Sequence, residues 1–135
     1  QSVLNAAARL IFQSRKFDHV TPLLRELQWL RFPERINYKL ALLVFKCLNG
    51  LAPPYLACEF RRVADSEGRQ RLRSASTAEL IIPRVRRPTI GGRAFPVAAA
   101  QVWNSLPSSV TSSSSLTVFK SRLKTELFKR CYCAD

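Results

Sequence analysis

The sequence contains no methionine, only one histidine and no pair of adjacent aspartates. Because methionine is missing even at position 1, we expect the chain to be a piece cut from a longer polypeptide. Gln1 is followed directly by a helical pattern, without the charged, apolar and small-residue series of a signal peptide. A mature chain trimmed from a precursor is the alternative expectation.

These shortages restrict catalysis. His19 stands alone, and no Ser, Cys or Lys nucleophile has an identifiable base beside it. No glycine-rich phosphate loop occurs among the four glycines. The aspartates, Asp18, Asp65 and Asp135, are too scattered to hold a pair of Mg²⁺ ions. We therefore predict that the chain is not an enzyme by itself and has no catalytic residue, cofactor or small-molecule substrate.

Metal-binding spacing and long apolar runs are also missing. The four cysteines, Cys47, Cys58, Cys131 and Cys133, form no C-x-x-C pair. They are predicted to be ordinary thiols in a reducing compartment, with zinc as the weaker alternative. The unbroken apolar run from Leu40 to Phe45 is far shorter than the ~20 residues that span a bilayer, so no membrane segment is predicted.

Acidic residues are scarce. The sequence contains nine Asp and Glu residues and 22 Lys and Arg residues, which gives a formal net charge of +13. No acid occurs between Glu79 and Glu126. Arg outnumbers Lys, and its planar fork suits bidentate phosphate binding. Phosphate backbones and anionic membrane surfaces are the usual partners of such a charge. We predict an RNA or DNA backbone and no membrane; the alternative is that the charge serves only solubility or is generic basicity.

Hydrophobic residues make up 47% of the sequence, which predicts a folded chain. The predicted fold is α+β and predominantly α. Helical periodicity predicts an N-terminal group of three helices within residues 1–60, at residues 2–14, from Thr21 onward, and from Pro33 to Asn49 with Gly50 as its terminator. Residues 61–76 read as an Arg-rich loop. Residues 77–135 are predicted to form a small α+β segment.

The segment of residues 77–135 combines strand-like and helical sequence patterns. Leu80 to Ile82 is predicted to be a short strand closed by Pro83, and residues 84–95 a second strand or hairpin. A short helix from Ala98 to Ser105, a serine-rich linker at 108–115 and a long amphipathic helix from Leu116 to about Tyr132 follow. A serine at the end of the linker is predicted to cap that helix.

The third helix carries a cationic stripe. At 3.6 residues per turn, Arg35, Lys39 and Lys46 fall within a roughly 40° arc, which suits a phosphate backbone. The alternative is that these side chains reach water and keep the helix soluble. The full set of predicted nucleic-acid-binding residues is Arg35, Lys39, Lys46, Arg69, Arg71, Arg73, Arg84, Arg86, Arg87 and Arg93. Tyr55 and Trp103 are candidates for base stacking, with Trp103 favoured as a core residue.

Three ordered patterns carry a resemblance. They are Lys39-Leu40-Ala41-Leu42-Leu43-Val44-Phe45-Lys46-Cys47-Leu48-Asn49-Gly50-Leu51-Ala52-Pro53-Pro54-Tyr55-Leu56; Gly92-Arg93-Ala94-Phe95 leading to Val102-Trp103-Asn104-Ser105-Leu106-Pro107; and Leu116-Thr117-Val118-Phe119-Lys120 with Leu123-Lys124 and Leu127-Phe128. With Asn5 to Leu10 at the start, their order resembles the C-terminal end of LINE-type (non-LTR) retrotransposon reverse transcriptases, over about residues 3–130.

The resemblance implies a thumb and post-thumb region of an RNA-directed DNA polymerase. Residues 1–60 would be the thumb-like segment. The chain as a whole would bind template RNA or a primer–template backbone and associate with the rest of the polymerase, in the nucleus and cytoplasm. The family's paired catalytic aspartates are absent. Two alternatives stay open: an assembly module that packs on the polymerase body through the Leu40–Phe45 run and the last helix, and a decayed transposon remnant without activity.

Overall fold

A computed structural model of the chain describes residues 1–66 and 78–133. Helix accounts for 62% of these residues. The helices are α1 Ser2–Phe12, α2 Thr21–Glu26, α3 Phe32–Leu48, α4 Pro54–Ala57, α5 Pro88–Gly91, α6 Phe95–Asn104, α7 Ser108–Thr111 and α8 Leu116–Tyr132, with a 3₁₀ turn at Val63–Asp65.

The predicted β-hairpin, and with it the α+β fold class, is wrong: the described residues contain no strand and no sheet. Leu80 forms only an isolated antiparallel bridge with Arg62. The backbone there is extended, as the branched side chains indicated, but the prolines at 83 and 88 cannot donate to a ladder. Residues 84–95 form a loop and then α5 and the start of α6.

Helix α3 ends as its sequence predicts. Gly50 adopts a left-handed conformation, with φ of 69°. The Leu51 amide reaches back 2.8 Å to the Lys46 carbonyl, which is the bond of a Schellman cap. The Asn49 side chain donates to the Phe45 carbonyl at 2.8 Å. The Asn-Gly segment of the first pattern thus satisfies carbonyls that the helix end leaves free.

Helix α8 closes the core. Ser115 caps it by accepting a hydrogen bond from the Val118 amide at 3.3 Å, as predicted. Its fully buried Phe119 stacks on Phe45 of α3, with ring centroids 4.3 Å apart, and lies 5.8 Å from the ring of Trp103 in α6. Helix α3 packs against both α6 and α8, so the main core draws on residues from both predicted segments.

A second, smaller cluster forms where α1 and α2 pack together and meet the end of α8. Its buried members are Ala8, Leu24 and Tyr132. The segment predicted as a serine-rich linker contains α7, whose Val110 is buried in the main core.

The Trp-Asn pair of the second pattern fastens the extended segment onto α6. The indole nitrogen of Trp103 donates to the Ala78 carbonyl at 2.8 Å. The Asn104 amide mimics a neighbouring strand: it accepts from the Leu80 amide at 2.8 Å and donates to the Leu80 carbonyl at 2.9 Å. The Asn104 side chain therefore pairs with the backbone of the buried Leu80 on the edge opposite its bridge to Arg62.

Replacing Asn104 by Leu is expected to lower the free energy of unfolding by about 1–3 kcal/mol, because a buried amide and carbonyl of Leu80 lose their partners. Urea denaturation measures this loss. Gln101→Leu, at an exposed position of the same helix, is the matched control and is expected to change stability by less than ~0.5 kcal/mol. Equal stabilities of the two variants would contradict the role of Asn104 in holding the extended segment on α6.

Candidate nucleic-acid interface

Two neighbouring depressions lie beside α8: the first lies between α3, α8 and the turn after α2, and the second between α8 and that turn. They have volumes of about 290 Å³ and about 400 Å³, and both are lined by Gln28 and Lys124. The first is also lined by Trp29, Leu30, Arg35, Tyr38 and Lys39, and the second by Ser121, Thr125, Phe128 and Lys129. We call this pair of depressions the α3–α8 groove.

The packing of the helices brings its cations together. Lys39 extends from the outer face of α3, and Lys124 and Lys129 from α8, all with exposed side chains. Among the residues that the structure describes, no acidic residue lines either depression. The groove therefore presents positive charge from two helices with no carboxylate beside it, which favours a polyanion.

Arg35 is held in a defined position in the groove. Its Nε donates to the Leu30 carbonyl at 3.2 Å, and its guanidinium carbon lies 5.9 Å from the centre of the Trp29 ring. A guanidinium fixed over an indole forms a cation–π contact. Arg35 is thus oriented before any ligand arrives.

The turn that carries Trp29 has an uncommon backbone. Gln28 adopts a left-handed conformation with φ of 54°, and the Trp29 amide reaches 2.9 Å back to the Leu24 carbonyl. This is a Schellman cap with glutamine where glycine is usual. The turn is what places Gln28 and Trp29 against the groove.

Charge in the described parts of the chain is mostly uncompensated. The salt bridge found there joins Arg130 and Glu126 on α8, with 2.9 Å between Nε and Oε1. Several arginines instead bind main-chain carbonyls: Arg130 donates to Ser105 at 2.6 Å, and Arg122 to Ser109 at 2.7 Å. These arginines help to hold the fold together.

The predicted site residues separate into groups. Arg35 and Lys39 lie in the groove, and Lys46 is half-buried two turns farther along the same face of α3. Arg84, Arg86 and Arg87 lie on the loop that precedes α5, and Arg93 lies between α5 and α6; all four are exposed. Arg84 lines a separate depression that also contains Glu79. The structure thus gathers two of the predicted cations with others that were not predicted. Arg69, Arg71 and Arg73 lie outside the described residues.

The two aromatic candidates have different positions. Trp103 is 2% exposed and belongs to the core, as its helical neighbours predicted, whereas Tyr55 is 69% exposed and lies outside the groove. Trp29, Gln28, Lys124 and Lys129 were not among the predicted site residues. The acid-free stretch before Glu126 contains Lys124, but its nearness to Lys39 depends on how α3 packs on α8.

The segments predicted to pack on a polymerase body are used inside the chain. Val44 and Phe45 of α3, and Phe119, Leu123 and Leu127 of α8, are buried in the main core. Apolar side chains are exposed elsewhere, notably Val3 and Leu10 on α1 and Phe17 just after it.

Tyr132 supports the Trp29 turn from the end of α8. Its hydroxyl donates to the Trp29 carbonyl at 2.6 Å, and the guanidinium of Arg31 lies 5.5 Å from its ring centre. Burial is the main cause that raises the pKa of Tyr132 to about 12. The neutral, donating form of the phenol is therefore stabilised in the folded chain.

We expect this tyrosine to make stability fall at alkaline pH. Below the unfolded-state pKa of about 10, both states keep the proton and the contribution is complete. Between about pH 10 and 12 the unfolded state loses its proton first, so folding is progressively disfavoured. Urea denaturation across this range measures the effect. Tyr132→Phe should remove that part of the pH dependence, and an unchanged profile would contradict the assignment.

The thiols form no disulfide in the described residues. Cys47 is buried, which raises the pKa of its thiol, while Cys58 and Cys133 are exposed. Within residues 1–66 and 78–133, no three His, Cys, Asp or Glu side chains come close enough to hold a metal ion. No helix in the same ranges is both long and apolar enough to cross a bilayer.

No protein-family model, curated protein or solved structure matched the chain.

Proposed function

We propose that the chain is a non-catalytic nucleic-acid-binding segment that holds the phosphate backbone of RNA or of a primer–template duplex. The observation that carries the proposal is the α3–α8 groove, where four exposed cations, Arg35, Lys39, Lys124 and Lys129, converge without an acid among the lining residues. Backbone binding needs cations at suitable spacing and no base-reading code.

Charge at the level of the whole chain supports the same function. A net charge of +13 attracts polyanions over the range of the Debye length. The exposed arginines at 84, 86 and 87 supply a second cationic segment outside the groove.

We further propose that the parent protein is an RNA-directed DNA polymerase of the LINE type. This part is supported by the three ordered sequence patterns. The most specific residues of these patterns stabilise the fold. Asn49 and Gly50 end α3, and Trp103 and Asn104 hold residues 78–80 on α6. The coding sequence directly upstream tests the parentage, since an in-frame polymerase palm is expected there.

The binding function is tested by a salt titration with a single RNA. If these cations meet phosphates, the logarithm of the binding constant should fall with log salt by about 0.7–0.9 for each phosphate neutralised. Replacing Arg84, Arg86 and Arg87 with Ala should flatten the slope, because counterion release decreases with each lost contact. All three are exposed, so thermal stability should stay unchanged.

A flat slope for the unmodified chain would refute the proposed function. An unchanged slope in the triple Ala variant would remove only the 84–87 segment from the interface and leave the groove as the contact.

A further inference from the structure

The groove combines two kinds of side chain at two depths. Its cations Arg35, Lys39 and Lys124 are exposed, whereas the aromatic side chains of Trp29, Tyr38 and Phe128 are half-buried. Charge therefore lies at the rim of the groove and aromatic surface lies deeper. A convex cationic face would be enough to bind a duplex backbone, so the aromatic interior calls for another explanation.

We infer that the α3–α8 groove accepts single-stranded nucleic acid in preference to a duplex, with bases inserted among its aromatic side chains and phosphates at its rim. The inference rests on the proposed function and deepens it. In a duplex, the faces of the bases are covered by their neighbours and cannot reach a half-buried indole. In a single strand, bases splay out and stack on aromatic rings or on a guanidinium plane.

The dimensions suit such a ligand. Depressions of about 290 Å³ and about 400 Å³ lie at the small end of the usual range for ligand sites, about 300–1,000 Å³. They share Gln28 and Lys124, so they adjoin each other. Successive bases of one strand can occupy the two depressions while Lys124 contacts the phosphate between them.

Gln28 has a specific role in this arrangement. Its left-handed backbone places an uncharged amide, which offers both donors and an acceptor, on the boundary between the depressions. An uncharged amide adds little to the binding of a phosphate backbone, but it can hydrogen-bond to the edge of an unpaired base.

The experiment compares three polyanions against the full chain at one salt concentration: an oligo(U) strand of about 12 nucleotides, an RNA duplex of about 12 base pairs, and polyphosphate of similar length, which has charge but no bases. Affinity and tryptophan fluorescence are measured together. We expect the oligo(U) strand to bind at least about fivefold more tightly than polyphosphate, as one stacked base provides. We expect it to quench Trp29, while the 2%-exposed Trp103 stays unaffected.

Two variants locate the effect. Trp29→Leu keeps an apolar side chain but removes the aromatic face, and it should weaken oligo(U) binding by about fivefold to hundredfold. Gln28→Gly keeps the left-handed backbone, which glycine adopts readily, and should weaken oligo(U) binding by about two- to tenfold. Gln13→Gly is the matched control, because Gln13 ends α1 with φ of 52° outside the groove, and it should leave binding unchanged.

The outcomes separate the two levels of the proposal. If none of the three polyanions binds, the proposed function itself fails. If all three bind equally without quenching, or if the duplex binds more tightly than the strand, the groove serves only as an electrostatic contact. The single-strand inference is then overturned while backbone binding stands. Equal loss in Gln28→Gly and Gln13→Gly would also overturn it.

Discussion

Replacing Phe119 by Ala is expected to lower the free energy of unfolding by about 3–5 kcal/mol, a large part of the 5–15 kcal/mol typical of a whole domain. The side chain is fully buried. It stacks on Phe45 of α3 and on Trp103 of α6. Its removal therefore leaves a cavity where three helices meet, and the close-packed core cannot shift enough to fill it. The melting temperature should fall by about 10–20 °C.

Val118→Ala is the matched control for this variant. Val118 is the preceding residue of α8, but its side chain is 36% exposed and points away from the core. Its truncation is expected to cost under ~1 kcal/mol. Denaturant titration and calorimetry measure both changes. A loss below ~1 kcal/mol for Phe119→Ala would show that α8 is not the central packing element described above.

The Phe119→Ala variant also tests whether the packing of α8 is needed for RNA binding. Helix α8 supplies Lys124 and Lys129 to the groove, and Phe119 fixes α8 against α3. If the groove binds RNA, Phe119→Ala should also weaken binding, even at temperatures where helical content remains. A variant that loses its packing but binds RNA as before would place the contact on the exposed arginine segment instead.

Helix α8 shows how far local sequence determines the fold. Its predicted span matches the structure, because Ser115 provides a cap and Phe119, Leu123 and Leu127 recur at helical intervals on one buried face. Helix α3 differs from its prediction by one residue at each end, since Pro33 and Gly50 mark its boundaries chemically. Helix ends with caps of this kind depend only on neighbouring residues.

The β prediction was wrong for an equally specific reason. The run Leu80 to Ile82 has strand-like composition and an extended backbone, but a strand is defined by its partner. On one edge the segment has a single bridge to Arg62, and on the other edge the Asn104 amide, 24 residues away, pairs with Leu80. Periodicity shows that a segment is extended; it does not show whether a side chain or another strand pairs with it.

The groove could be predicted only in part. Arg35 and Lys39 were found because one helix places them on a common face. Lys124 belongs to another helix, and Gln28 and Trp29 to a turn whose left-handed backbone no sequence signal marked. Residues that come together through packing at long sequence separation leave no pattern in a single chain. Two of the four groove cations could therefore be predicted from the sequence, whereas the rest of the site could be identified only from the tertiary structure.

Reversing the two central groove charges, with Lys39→Glu and Lys124→Glu together, is expected to weaken RNA binding by about a hundredfold, because a hydrogen bond to a charged group contributes about 1.5–3 kcal/mol. The slope of log K against log salt should decrease by about 1.4–1.8, since two phosphates lose their cations. Both side chains are exposed, so the fold should tolerate the change.

The control reverses the same number of charges elsewhere, with Lys16→Glu and Arg61→Glu. Both residues are exposed and line neither depression. Both variants carry a net charge four units lower than the parent chain, so any effect of overall charge is equal in the two. A hundredfold loss confined to the groove variant would locate the polyanion between α3 and α8. Equal losses would mean that RNA responds only to the net charge of the chain, and the groove would have no specific part in binding.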